Sequence, residues 1–262
     1  MHNILASTIA ALAATALSVG VGAAQEQGSD AELAQKLANP VVSLISVPLQ
    51  YNYDCCTGVS DARWTLNVQP VLPFALNARW NLIVRTIVPI IDQEGEPDHS
   101  GFGDTTQSFF FAPPSKNSLT WAVGPVFYYP TGTDGLSSAK WGAGPTALVL
   151  KQTGHVTYGA LVNQIWSFAG AGSHPSISTT FLQPFFNYTY PDTTGISVNL
   201  ESTYDWKHDQ WTIPLNVGIS HIYAFTGQRV SLGATGRVYL DSPRGGPGWG
   251  LRFVATFLFP KH

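Results

Sequence analysis

The 262-residue chain sets 13 Lys and Arg against 16 Asp and Glu for a formal net charge of −3, and only 11% of it is charged, against roughly 25% in an ordinary soluble domain. With 12% aromatic residues, 8 of them Trp, and 25 Gly, it lacks the Lys- and Glu-rich faces that amphipathic surface helices need. It reads as an all-β protein whose outside need not be wetted throughout. No basic stripe is present, which argues against nucleic acid as a partner.

Residues 1–24 read as a processing segment. Ile4 to Ala24 is apolar and Ala-rich, and Gly22 and Ala24 suit the −3 and −1 positions of a signal-peptidase site. Met1, His2 and Asn3 supply no Lys or Arg, so an uncleaved membrane-spanning anchor is the alternative. After Ala24 no run of about 18 apolar residues follows, so the mature chain should have no transmembrane helix. Residues 25–39 hold the one convincing helix, Ser29 to Ala38, with Ser29 or Asp30 as cap and Asn39-Pro40 as stop. It would either plug a barrel or lie in the periplasm.

From residue 40 to 262 the pattern is strand and turn. Side chains alternate across a strand, so period-two patterning separates two faces. Trp64, Leu66 and Val68 oppose Thr65, Asn67 and Gln69. Trp80, Leu82, Val84, Val88 and Ile90 oppose Asn81 and Arg85. Ile196, Val198, Leu200 and Tyr204 oppose Ser197, Asn199, Glu201, Thr203 and Asp205. About twelve such segments follow one another, each near the ~10 residues that a tilted strand needs to cross a bilayer. They cover roughly 41–53, 63–74, 79–92, 103–112, 118–129, 140–151, 155–168, 177–190, 195–205, 210–224, 228–240 and 248–259. Tight connections (75–78, 152–154, 226–228) alternate with longer ones (54–62, 93–102, 130–139, 169–176, 241–247) rich in Gly, Ser, Pro and Asp. That alternation predicts a single antiparallel transmembrane β-barrel in an outer membrane, with both termini on the short-turn, periplasmic side.

Two details qualify this. Pro70, Pro89, Pro125, Pro145, Pro184 and Pro214 fall inside segments. Proline cannot donate to a ladder, so each predicts a bulge or local break in the wall. Cys55 and Cys56 are adjacent, which rules out a disulfide framework and reads as two thiols, or a strained vicinal pair, in an exposed loop.

Nine stretches, among them NPVVSLISVPLQYNYD (39–54), WNLIVRTIVPIIDQ (80–93), GFGDTTQSFFFAP (101–113), WAVGPVFYYPTGTD (121–134) and GGPGWGLRFVATFLFPK (245–261), carry a resemblance that covers nearly all of the mature chain. They resemble bacterial outer-membrane proteins called simply transporters. That group belongs to a wider family tied by name to the meta-cleavage pathway of phenol degradation, some members of which bear the name neuromedin U. The resemblance implies an outer-membrane barrel that takes up small solutes, aromatic or hydrophobic compounds among them.

If the apolar parity faces lipid, Asn67, Gln69, Arg85, Gln183, Asn199, Glu201, Arg237 and Arg252 face the lumen, with Asn81, Asn163 and Asn216. Arg85, Glu201, Arg237 and Arg252 are the charges expected to set selectivity. The competing reading is a packed polar interior in which the arginines pair with Glu201 or Asp104. No HExxH, GxSxG or phosphate-loop pattern occurs, so no cofactor, metal or catalytic group is expected, and Asp98, Asp104 and Asp134 read as solvated turn residues. The rivals are an outer-membrane lipid-modifying enzyme with a Ser–His cluster at one rim, and a secreted soluble β-sandwich that binds a ligand. The expected partners are membrane lipid and a small solute.

Overall fold

The computed structural model describes residues 30–39, 41, 44–57, 60–94, 99–114 and 118–260. The expected signal segment and the Ser29 cap lie outside them. Fifteen strands follow in chain order: β1 (Leu44–Thr57), β2 (Ser60–Val68), β3 (Val71–Asn77), β4 (Trp80–Gln93), β5 (His99–Phe102), β6 (Thr105–Ala112), β7 (Leu119–Tyr129), β8 (Lys140–Thr153), β9 (Val156–Gly170), β10 (Ser178–Thr189), β11 (Gly195–Leu200), β12 (Ser202–Asp205), β13 (Gln210–Phe225), β14 (Gln228–Asp241) and β15 (Trp249–Pro260). Every pairing is antiparallel to a sequence neighbour, and β15 returns to β1 from Leu44↔Pro260 to Cys55↔Trp249. Three spans are each two collinear strands separated by a short gap at 69–70, 103–104 or 201. The result is a closed barrel of twelve antiparallel spans, as the period-two pattern predicts. Among the described residues no helix is long and apolar enough to cross a membrane.

The outside is an apolar belt. Val123, Val149, Val162, Val217, Ile219, Val238 and Phe253 are all exposed, an arrangement that water penalises and hydrocarbon does not. Aromatic rings bound the belt. Trp64, Trp141, Trp166, Trp206, Trp211 and Trp249 stand at the long-loop end, and Trp80 and Trp121, in edge contact at 5.9 Å, at the other. Two such girdles fit the polar boundaries of a bilayer. A soluble β-sandwich would bury this belt between sheets, so that reading is overturned.

The first long loop expected at 54–62 does not form. β1 runs on to Thr57 and pairs with β2 through Tyr53↔Trp64, Asp54↔Arg63 and Thr57↔Ser60. Cys55 and Cys56 are therefore strand residues, and Cys55 is a free thiol. The Asp, Gly and Ser residues there read as turn formers, but an inward Asp54 is compensated by Arg237, two strands along the wall with Gly250 between them. The expected 93–102 loop likewise shrinks, because β4 reaches Gln93 and β5 begins at His99.

The prolines mark the irregularities. Pro70 occupies the gap between β2 and β3. Pro89 accepts from the Gly103 N–H in the gap between β5 and β6, and Pro214 sits at a register shift and accepts from the Glu201 N–H at 3.2 Å. Pro125 and Pro145 face one another across β7 and β8, so neither can donate to the ladder there. The neighbouring backbones close up instead. A Cβ on Gly144 would overlap the Gln164 carbonyl oxygen, and one on Gly124 that of Phe109, so glycine is required at both places.

The helix α1 (Asp30–Leu37) lies across the short-turn mouth. Leu33 and Ala34 pack on Leu44, Ile222 and Leu258. Asp30 accepts from Arg229 Nε at 3.0 Å. Its other end reaches the far wall, where Gln35 Nε2 donates to the Gly154 carbonyl at 3.2 Å and Gln152 Nε2 donates to the Gln35 carbonyl at 3.0 Å. Asn39 Nδ2 meets Gln152 Oε1 at 3.2 Å. A helix of this length spans roughly 12 Å, so it bars part of the mouth.

Candidate functional site

The lumen is not uniformly polar. On the β4 to β9 side, Ile83, Phe110, Ala122, Leu148, Leu150 and Leu161 point inward and form a buried cluster with Val41. Parity alone assigned the inward face to polar residues; here the short-turn half of that wall packs apolar groups inside as well. The opposite wall, β11 and β13 to β15, carries small groups such as Ser197, Ser231, Thr235 and Thr256. They border a cavity of about 200 Å³ beneath α1.

Above this, a polar layer crosses the barrel. Glu201, held inward at the β11–β12 gap, receives both Nη atoms of Arg252 at 2.7 Å. Such a bidentate pair fixes geometry as well as charge. Arg237 Nη2 lies 4.0 Å from Glu201, and its Nη1 donates to Asp54 at 2.8 Å. Asp54 also accepts from Tyr239 at 2.8 Å. Arg237 Nε donates to Asn216 at 3.0 Å, and Asn216 donates to Asn199 at 2.9 Å. Asn52 Oδ1 takes Arg252 Nε at 2.7 Å and Arg237 Nη1 at 3.3 Å. On the far side Arg85 donates to Gln69 at 2.8 Å, and Gln69 meets Gln50 at 3.2 Å. Gln50 Nε2 in turn donates to Asn52 Oδ1 at 3.4 Å and links the two halves. Gln183 meets Glu201 at 3.5 Å. Among the described residues no buried side-chain polar atom is left without a partner, which is what a low-dielectric interior demands.

Seven of the eight sequence-derived lumen residues thus belong to one network: Arg85, Glu201, Arg237, Arg252, Gln69, Gln183 and Asn199. Asn67 lines the cavity above it. The arginines pair with Glu201, as the packed-interior reading has it, but not with Asp104. The residues missed are Gln50, Asn52, Asp54 and Tyr239. Asp54 shares parity with Gln50 and Asn52, so the signal was present once the strand was extended past residue 53.

The layer has space on both faces. Toward the long loops lies a cavity of about 720 Å³, floored by Glu201, Arg237 and Arg252, walled by Arg63 and Thr65, and roofed by Arg244 and Gly245 of the 241–249 loop. Toward α1, Ser197, Thr235 and Val254 line the smaller cavity. Each stands one inward step, roughly 7 Å along a strand, from Asn199, Arg237 and Arg252.

At the rim, one residue beyond the Thr105↔Tyr129 pair, Asp104 holds the 130–139 loop. Its carboxylate accepts from Gly132 N at 2.9 Å, Ser137 Oγ at 2.7 Å, Ser138 N at 2.7 Å and Ser138 Oγ at 2.6 Å. Burial pushes this carboxyl up, but the Ser138, Ser137 and Gly132 donors outweigh it and hold the acid below its ordinary value. Asp104 is therefore a loop anchor rather than a solvated turn residue.

No family model matches the chain, and no curated protein does. Solved structures do. An outer membrane channel from Pseudomonas putida F1 is 14% identical, with a TM-score of 0.65 over 83% of this chain and 96% of that one. The NanC porin is 8% identical, with a TM-score of 0.55 over 82% and 100%. The fold is that of an outer-membrane β-barrel. Its apolar belt and paired girdles place the barrel in that membrane. The Escherichia coli outer membrane phospholipase A also matches, at 12% identity and a TM-score of 0.48.

Three histidines of the barrel have a side-chain partner. Ser220 and His221 are consecutive strand residues and so face opposite ways; His221 Nδ1 lies 3.0 Å from Thr194 Oγ1. His208 meets Asp205 at 2.7 Å, and His174 meets its own neighbour Ser173 at 3.2 Å on an exposed loop. Among the described residues no three His, Cys, Asp or Glu side chains group as a metal site.

Proposed function

We propose that this barrel is a channel through which small solutes cross the outer membrane, with the short-turn end toward the periplasm and the Arg85–Glu201–Arg237–Arg252 layer as its selectivity element. The observation that carries the reading is a charged, hydrogen-bonded layer with open space on both faces. A purely structural core would have no reason to place three arginines between two cavities. Closed rings of fixed charge in a narrow lumen select by charge and hydrogen bonding. The apolar inner wall at Ile83, Phe110, Leu148 and Leu161 offers a sliding face for solutes that carry a ring or alkyl group. That accords with the sequence resemblance to barrels of phenol degradation.

The test is conductance of refolded residues 25–262 in planar lipid bilayers, with folding verified by heat-sensitive gel mobility. Discrete steps are expected. A folded barrel that stays silent at all voltages overturns the channel reading and returns attention to a rim-located enzyme.

A further inference from the structure

We propose that the cavity above the arginine layer is an equilibrium binding site for a small dicarboxylate, held by Arg63 and Arg244. The inference deepens the channel reading and rests on it for its physiological meaning.

The argument begins with charge. Four arginines border the cavity, Arg63, Arg237, Arg244 and Arg252, against two acids, Asp54 and Glu201. Both acids are committed: Glu201 by the bidentate contact with Arg252, and Asp54 by Arg237 and Tyr239. Among the described residues, Arg63 and Arg244 make no ion pair. Two guanidinium groups outside any ion pair among the described residues, bordering one partly closed space, raise the local concentration of anions. The guanidinium fork matches a carboxylate's two oxygens.

The backbone that carries each of the two arginines is fixed. Arg63 stands on β2, in register with Asp54 on one side and Gln93 on the other. Arg244 is the corner of a tight turn. The Gly246 N–H donates to the Pro243 carbonyl at 2.7 Å, and Gly245 between them has a φ of +79°, the position at which a type II turn requires glycine. The Gly248 N–H donates to the Cys55 carbonyl at 3.2 Å, tying this roof to β1 beside the cavity. One arginine therefore comes from the wall and one from the roof, and each is free to take one carboxylate. Thr65 and Asn67 add neutral donors. The volume, about 720 Å³, falls in the range of small-molecule sites, roughly 300–1,000 Å³.

The probe is succinate, titrated calorimetrically into the folded, detergent-solubilised barrel, with propionate as the one-carboxylate control. Saturable succinate binding is expected, at least about tenfold tighter than propionate, since one further charge-assisted contact is worth about that factor or more. R244Q, a change in an exposed loop that leaves the wall intact, should weaken succinate by about tenfold and leave propionate much less affected. R63Q/R244Q should abolish the difference between the two acids. Absence of succinate binding, equal binding of both acids, or succinate binding unchanged in R244Q overturns the proposal. Calorimetry does not require conduction. Binding by a barrel that is silent in bilayers would leave the site standing and sink the channel; a conducting barrel that ignores succinate would do the reverse.

Discussion

Replacing Glu201 by glutamine isolates the electrostatics of the layer from its shape. In the native barrel Arg85, Arg237 and Arg252 face Asp54 and Glu201. The substitution removes the charge that meets Arg252 at two contacts of 2.7 Å and Arg237 at 4.0 Å, while keeping a side chain of the same size that still accepts a hydrogen bond. Unit charges about 4 Å apart interact by about 4 kcal/mol at an effective dielectric of ~20. Unpairing one partner of a buried bridge costs about 3–5 kcal/mol. The Arg252 side chain is 8% exposed and that of Glu201 20%; contact with the cavity above places the expected loss near the lower end, about 3 kcal/mol. Two assays read it. Urea unfolding in micelles, followed by gel mobility, should show an earlier midpoint for E201Q. In a bilayer under a KCl gradient, the reversal potential should move toward anions, because the layer's surplus of one positive charge becomes two. The shift should fade in molar salt, where screening acts within about 3 Å. An unchanged midpoint together with an unchanged reversal potential would refute the reasoning, since neither the pair nor the layer would then carry the role assigned to it.

Further outcomes follow from two other parts of the molecule. Asp104→Asn leaves the four donors of the 130–139 loop facing an uncharged group, at a cost of about 2–3 kcal/mol for hydrogen bonds to a charge; proteolysis or hydrogen exchange should find that loop released while the barrel stays folded. Because the folded carboxyl is held below its ordinary value, the anchor is in place at neutral pH and is lost only as pH falls through that depressed value, so the loop's amide protection, corrected for the intrinsic exchange rate at each pH, should be constant from neutral to mildly acidic pH and fall below it. Replacing residues 30–37 with a Gly-Ser linker should increase the unit conductance, whereas Arg229→Gln, which removes a half-exposed ion pair worth at most about 1 kcal/mol, should only increase the frequency of the larger steps; identical traces for the linker variant would mean that α1 does not obstruct the path.

The wall was legible from the sequence because lipid on one side imposes a strict alternation. The β11 to β12 span follows it over most of its length, and the girdle tryptophans sit where segment ends were read. The site was legible in part for the same reason: a charged residue at an inward parity has nowhere else to go, which located Arg85, Glu201, Arg237 and Arg252. Asp54 was lost because Asp, Gly and Ser near residue 58 imitate a loop, and the ladder that overrides this signal includes residues distant in sequence, on β15. The apolar inner wall was lost for a different reason. Phe109, Phe110 and Phe111 are consecutive, so alternation vanishes where both faces of a strand are apolar, and nothing local tells lumen from lipid. Asp104 was read as solvated because its four donors come from residues 132–138, across a loop whose path depends on the closed barrel.

The placement of α1 has a consequence for the order in which the molecule is made. Its contacts lie on β13, β14 and β15 at one end and on the β8–β9 turn at the other, and these are neighbours of the mouth only after the wall has closed. The segment synthesised before any strand must therefore be among the last to dock. Until β15 has zipped to β1, the mouth has no far rim for Gln35 to reach, so a docked helix reports a completed barrel.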